Sequence, residues 1–224
     1  MKRFHIITIF PEMFDSYLDE SLFRRAREKK IIGVQAYNLR DFSRDRHRKV
    51  DDRPFGGGPG MVCAVEPIYR AVEFVKKKVK KRKARVILFS TRGKTFDAAA
   101  ARRLSKYEDL IFICGRYEGV DERVAEHIAD EEISVGNFVL SGGELPALVV
   151  MEAVSRFAPG FLGKEASLEE INGSFPTYTR PEVFVPTIGR GKEKKRKGWP
   201  VPKVLLSGNH KSITEWRKRK GAFS

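Results

Sequence analysis

Apolar positions along this chain follow two alternating rhythms, continuous short runs and stripes at helical spacing. FHIITIF (residues 4–10) is a run of β-branched and aromatic side chains and predicts a buried strand. A helix is expected around SLFRRAREKK (21–30), then a second strand over 33–39. Further on, Ile68, Val72, Val75 and Val79 fall near helical spacing in EPIYRAVEFVKKKVKK (66–81), which predicts an amphipathic helix. ARVILFS (84–90) predicts a strand, and DAAAARRLSKYE a helix opened by Asp97 as N-cap. A strand over 110–117, a helix in DERVAEHIA (121–129) and a strand over 131–140 follow. The last element of the series is an apolar helix from Glu144, with Pro146 tolerated in its first turn. Near-continuous apolar strands between helices predict an α/β fold, a mainly parallel sheet with helices on both faces.

Two stretches break the rhythm. Residues 41–61, DFSRDRHRKVDDRPFGGGPGM, show no periodicity, and a loop of that length is uncommon unless it works on a ligand. Beyond Pro159 glycines and prolines dominate to about residue 190, followed by the basic run GKEKKRKG (191–198). A short strand-like VLLS (204–207) and a basic helix in SITEWRKRKG (212–221) end the pattern.

Charge narrows the partner. Forty-four Lys and Arg against 29 Asp and Glu give the 224 residues a formal net charge of +15, which attracts polyanions, nucleic acid above all. A solvated Lys-rich surface, as in proteins from hot environments, is the plainer alternative. Cys63 and Cys114 lie far apart and suggest neither a disulfide framework nor a zinc site. No apolar stretch approaches the ~20 residues of a membrane span, so a soluble, cytoplasmic enzyme is expected.

Parallel α/β sheets bind ligands at the carboxyl ends of their strands. Three predicted ends carry glycine-bearing loops: FSTRGKT (89–95), CGRYEGVDER (114–123) and VGNFVLSGGE (135–144). Glycines let a ligand lie against the backbone, and three such loops predict one shared pocket. Arg92-Gly93-Lys94-Thr95 imitates the tail of a phosphate-binding P-loop, but its first glycine would fall on Leu88. The dinucleotide fingerprint and G-x-S-x-G are absent, and His5, His47, His127 and His210 show no metal-type pairing and read as surface or loop residues. A backbone-lined pocket without a phosphate signature suits an adenosyl ligand.

The strings DFSRDRHRKVDDRPFGGGPGM, ICGRYEGVDERV, VGNFVLSGGELPA, VSRFAPG, YTRPE and VLLSGNH, in this order, resemble the bacterial tRNA (guanine-N1)-methyltransferases. These are SPOUT methyltransferases acting on the guanosine 3′ of the anticodon. The resemblance implies S-adenosylmethionine as cofactor, a homodimer with the active site at the subunit interface, and a deep trefoil knot. Topology rules alone would not propose a knot. It places the cofactor against Leu88, Phe89, Ser90 and Gly115, and against Val135, Gly136, Asn137, Phe138, Val139, Leu140, Gly142 and Gly143. Gly60, Arg116, Tyr117 and Glu118 are implied to approach the cofactor or target base, Tyr178 and Arg180 to contact tRNA, and Arg156 to face the reacting guanine. Its bland reading is a helix-terminal arginine favoured by the dipole.

This chain departs from the family in its linker. The family's general base is an aspartate shortly after E-A-S, whereas EASLEEINGSFPTYTRPE (165–182) contains none, which leaves Glu170 and Glu169 as candidates. The segment after it reads as shorter than the family's tRNA-gripping domain. The expected organisation is a methyltransferase domain over 1–160, a mobile linker over 161–190 and a basic tRNA-binding element over 191–224. Rival functions are a catalytically impaired tRNA-binding homologue and a methyltransferase acting on ribosomal RNA.

Overall fold

The computed structural model describes residues 1–80, 82–163, 174–186 and 198–221, in two compact units, Met1–Glu165 and Ala166–Ser224. The first unit runs β1 (Lys2–Thr8), α1 (Asp15–Leu18), α2 (Ser21–Glu28), β2 (Ile32–Asn38), β3 (Asp51–Asp52), β4 (Val62–Cys63) and α3 (Val65–Val79). It continues with β5 (Ala84–Thr95), α4 (Ala98–Leu104), β6 (Asp109–Ile113), α5 (Glu122–His127), β7 (Glu131–Ser134) and α6 (Glu144–Ser155). Five strands form one sheet in the order β2-β1-β6-β5-β7, every neighbouring pair parallel, as the alternation of strands and helices predicts.

Strand side chains alternate between two covered faces. Phe4, Ile6, Leu110 and Phe112 point into a core closed by Phe23 of α2, Leu104 of α4 and Val150 and Val154 of α6. Ile7, Ile111 and Ile113 point the other way, onto Ile68, Val72, Val75 and Val79 of α3 and Val124 of α5. Each such burial contributes about 1.5–3 kcal/mol, and the spacing of the α3 valines is the reason that helix sits where it does. Helix starts follow local chemistry: Asp97 Oδ1 accepts from the Ala100 N–H at 2.7 Å to open α4, and Asp121 Oδ1 from Arg123 N–H at 3.0 Å to open α5.

The amino ends of β1 and β6 hold a buried ionic cluster. Asp109, 0% exposed, receives Arg3 Nε at 3.0 Å and His5 Nε2 at 2.8 Å, and Arg82 Nε lies 2.9 Å from its second oxygen without hydrogen-bond alignment. Tyr37 Oη sits 3.3 Å from His5 Nδ1. His5 is therefore a buried strand residue, not the surface or loop histidine expected, because strand alternation places it beside Asp109.

Two further expectations need correction. The strand predicted over 131–140 ends at Ser134, and Phe138, Val139 and Leu140 are exposed. Its pairing with β5 runs out there: Ile133 is registered against both Phe89 and Lys94, so the intervening residues of β5 bulge outward. VLLS is helical, not extended.

In the second unit β8 (Val183–Phe184) pairs antiparallel with β9 (Trp199–Pro200), and Phe184 packs on Trp199 with ring centres 5.5 Å apart. VLLS lies largely in α7 (Lys203–Leu206), which leads into α8 (His210–Lys220), capped by Asn209 Oδ1 on Ser212 N–H at 3.2 Å. Tyr178 meets Trp216, and the Arg217 guanidinium lies 4.7 Å from the Phe175 ring centre. None of its described residues is fully buried.

Candidate active site

The carboxyl ends of β5, β6 and β7 are neighbours because the sheet order places β5 between the other two. The loops that leave them meet. The Gly143 N–H donates to Gly115 O at 3.0 Å, and Arg116 forms an antiparallel bridge with Gly142, which ties the β6 loop to the β7 loop. On its other side the β6 loop is held by the long N-terminal loop: Val62 bridges Tyr117, Cys63 bridges Val120, and Glu118 N–H donates to Met61 O at 3.0 Å. Gly60 sits so close to Glu118 that a Cβ there would lie 2.5 Å from its side chain.

Between these loops lies a cavity of about 480 Å³. Its walls include Leu88, Phe89 and Ser90 from β5, Gly115, Arg116, Tyr117 and Glu118 from the β6 loop, and Val135, Gly136, Phe138, Val139, Leu140, Gly142 and Gly143 after β7. The three predicted glycine loops thus share one pocket. Asn137, exposed between Gly136 and Phe138, does not line it, and neither does Gly60 or Arg156. Arg156 occupies the C-cap of α6, with its N–H on Glu152 O at 3.2 Å. Tyr178 and Arg180 belong to the second unit, and Glu169 and Glu170 lie outside the described residues.

Several contributors were not named as site residues from sequence, although Thr91, Arg92, Val120 and Glu122 lie within the predicted loops. Thr91, Arg92, Val120, Glu122, Glu132, Ser134 and Pro146 also line the cavity. Arg92 pairs with Glu122, joining the β5 and β6 loops through opposite charges 30 positions apart, a pairing no local pattern announces. Glu132 Oε2 is buried without a hydrogen-bond partner among the described residues.

Glu144 opens α6 and is 1% exposed. Its Oε2 accepts from Arg116 Nε at 2.9 Å and its Oε1 from Thr8 Oγ1 at 2.7 Å. The sequence hint was an acid in the first turn of an apolar helix, which reads equally well as complement to the helix dipole. Gly142 acquires its reason here: a Cβ would lie 2.3 Å from Arg116 Nε and 2.5 Å from Glu144 Oε2. Its missing side chain makes room for this ion pair.

Chemically the cavity offers backbone polar groups, apolar walls and fixed charges. Burial pushes the thiols of Cys63 and Cys114 up, so both stay protonated and neither supplies a nucleophile. Among the described residues no group of three or more His, Cys, Asp or Glu could hold a metal ion, and no described helix is long and apolar enough to cross a membrane.

Comparison with known proteins gives the site a context. A family described as tRNA (Guanine-1)-methyltransferase TrmD matches residues 1–222. A protein of Geotalea uraniireducens named tRNA (guanine-N(1)-)-methyltransferase is 50% identical over 224 residues, 97% of this chain and 84% of the relative. Its namesakes in Dehalococcoides mccartyi and Clostridioides difficile are 48% and 47% identical, covering 97% and 96% of this chain and 84% and 90% of their own lengths. The crystal structure of tRNA (m1G37) methyltransferase from Aquifex aeolicus superposes with a TM-score of 0.76 at 40% identity, covering 96% of this chain and 87% of that one.

Proposed function

Because the chain belongs to the tRNA (guanine-1)-methyltransferase family, we propose that it methylates N1 of guanosine 37 of tRNA, the nucleoside 3′ of the anticodon, with S-adenosylmethionine as donor. The observation that carries the reading is the convergence of three glycine-bearing loops on one cavity at the carboxyl edge of a parallel sheet.

The lining suits the donor. Leu88, Val135, Phe138 and Leu140 offer a purine apolar walls, and the buried, unpartnered Glu132 Oε2 offers an acceptor to a hydroxyl or an ammonium. When bound, S-adenosylmethionine supplies an electrophilic methyl group on a sulfonium. The chain must hold guanine N1 in line with it, accept the N1 proton and stabilise charge developing on O6. Arg116, fixed on the cavity wall, and Arg156 at the end of α6 are the cations for O6. The proton goes to a linker carboxylate, Glu170 in first place and Glu169 in second, with Asp51 or Asp52 of β3 as the fallback.

The remaining roles follow the family. Asn137 belongs to the cofactor loop, Gly60 with Glu118 edges the target base, and Tyr178 and Arg180 contact tRNA. The segmentation into 1–160, 161–190 and 191–224, the knot and a cytoplasmic setting are proposed on the same footing. So is a homodimer that completes the active site. It is supported by an exposed apolar face on α6, with Leu145 53% and Val149 50% exposed, beside exposed Met13 and Tyr17.

The test is nucleoside analysis of unmodified tRNA after incubation with S-adenosylmethionine and the purified chain. One methyl per tRNA, as 1-methylguanosine at position 37 and lost when that guanosine is replaced, is expected. Methylation at another position, of ribosomal RNA instead, or none at all would overturn the reading.

A further inference from the structure

Burying a charge is expensive unless it is paired and hydrogen-bonded, so an acid as hidden as Glu144 calls for a reason. Its two oxygens serve two strand ends. Oε1 holds the hydroxyl of Thr8, itself 0% exposed, at the carboxyl end of β1, and that hydroxyl also accepts the Phe10 N–H at 3.0 Å. Oε2 holds Arg116 Nε, at the carboxyl end of β6. The guanidinium is further confined by the Phe10 ring, 4.8 Å from its carbon, and by Met13 Sδ, 3.1 Å from Nη2. Glu144 takes Nε and Met13 lies beside Nη2, and Arg116 is one of the residues that line the cavity. Gly142 leaves the space in which the pair lies against backbone.

We propose that Glu144 is a positioning residue for Arg116: anchored through Thr8, it holds the guanidinium of this cavity-lining arginine in one orientation, ready for cofactor or guanine. The inference deepens the methyl-transfer reading and rests on it. An arginine held at Nε by a carboxylate cannot swing out to solvent, so the cation is in place before the reaction and needs no reorganisation during it. Glu144 touches no reacting atom. Its effect passes wholly through Arg116.

The test is a double-mutant cycle on the full chain, read by calorimetric S-adenosylmethionine affinity, by single-turnover methyl transfer to unmodified tRNA and by thermal midpoint. Glu144→Gln keeps the shape and the bond to Thr8 but removes the charge, and should lower transfer roughly 10–100-fold, the scale seen when a partner that orients a functional ligand is lost. In an Arg116→Ala background the same change should lower transfer by less than about twofold, because residues acting through one another are not additive. It should also raise the midpoint there, by removing a buried carboxylate left unpaired. Thr8→Ser, which keeps the hydroxyl, should transfer near the parental rate, whereas Thr8→Val should lose several-fold. Parental transfer and affinity in Glu144→Gln would overturn the proposal, as would an undiminished loss in the Arg116→Ala background, which marks a general structural role. If the parental chain methylates no tRNA, the functional reading fails by itself. The cofactor isotherms then decide the coupling alone, non-additive supporting it and additive overturning it.

Discussion

Gly143→Ala isolates what holds the β6 and β7 loops together. Gly143 has φ −81° and ψ −2°, a conformation alanine adopts freely, so the substitution tests space and not backbone freedom. The added Cβ would lie 2.6 Å from Cys114 Cα and 3.1 Å from its Cβ, about 0.8 Å short of ordinary contact with a backbone atom that cannot rotate away. The β6 and β7 loops must separate by that amount, which stretches the 3.0 Å bond from Gly143 N–H to Gly115 O past useful length. Overpacking of this kind costs about 1–3 kcal/mol and a broken hydrogen bond about 1, so the total is about 2–4 kcal/mol. That total divides between folding and cofactor binding, and if it falls wholly on binding the affinity drops about 30- to 700-fold. Denaturant unfolding and titration calorimetry on the same preparations measure both shares. Gly33→Ala is the control: its Cβ would meet only side-chain atoms, Arg3 Cγ and Met1 Cε, at an ordinary contact distance of 3.5 Å, and should be near neutral. A Gly143→Ala chain with unfolding midpoint and cofactor affinity both at parental values would refute the claim that close backbone approach builds this pocket.

Glu170→Gln and Glu169→Gln, assayed separately under single-turnover conditions, should identify the base by a loss of about 10²–10⁴-fold with tRNA and cofactor affinity unchanged; parental rates in both and in the double mutant would exclude them. Replacing Lys192, Lys194, Lys195 and Lys197 by Gln should flatten the salt dependence of tRNA binding by about 0.7 in log–log slope for each phosphate no longer neutralised, and an unmoved slope would show that the run neutralises none. Asp109→Asn should destabilise the fold by about 3–5 kcal/mol in chemical denaturation, because it uncouples Arg3, His5 and Arg82 at one buried site; a loss under about 1 would contradict the cluster's role. Burial lowers the His5 pKa, so the unfolded chain takes up a proton near pH 6.5 that the folded chain resists, and stability should decline as pH falls below that value. Asp109 adds a second decline at lower pH. Burial would raise its carboxyl, but the bonds from His5 and Arg3 outweigh burial and hold it low, so its contribution persists until pH falls below 3.8 and through its own depressed pKa.

The sheet was legible in the sequence because its strands carry the signal that burial on both faces demands. FHIITIF, ARVILFS and LIFI are apolar at every step or nearly so, and the structure buries alternate residues on opposite sides. Asp97 was legible as a cap for an equally local reason. Residues 135–140 misled for want of a neighbour: VGNFVL has strand composition, but extension also needs a partner edge, and the β5 bulge removes it. VLLS failed as short apolar runs do, since the five residues between Pro202 and Gly208 carry no period to separate helix from strand. The shared pocket was readable from glycine loops at three strand ends. What each glycine spares was not, because Gly142 faces an ion pair assembled from residues 116 and 144, and Arg92 finds Glu122 only through the fold.

The double registration of Ile133 against Phe89 and Lys94 sets the terms on which this pocket can change. Gly93 lets the returning strand press against Ile133, where a Cβ would sit 2.6 Å from its nitrogen, so β5 re-enters the sheet at the point where it left. The residues between are therefore slack held outside the lattice of strand pairs. A residue inserted into or deleted from 90–92 shifts no hydrogen bond in the core, yet it alters the rim formed by Ser90, Thr91 and Arg92. Length at this one spot is a dial for what the cavity admits, and the rest of the sheet is indifferent to its setting.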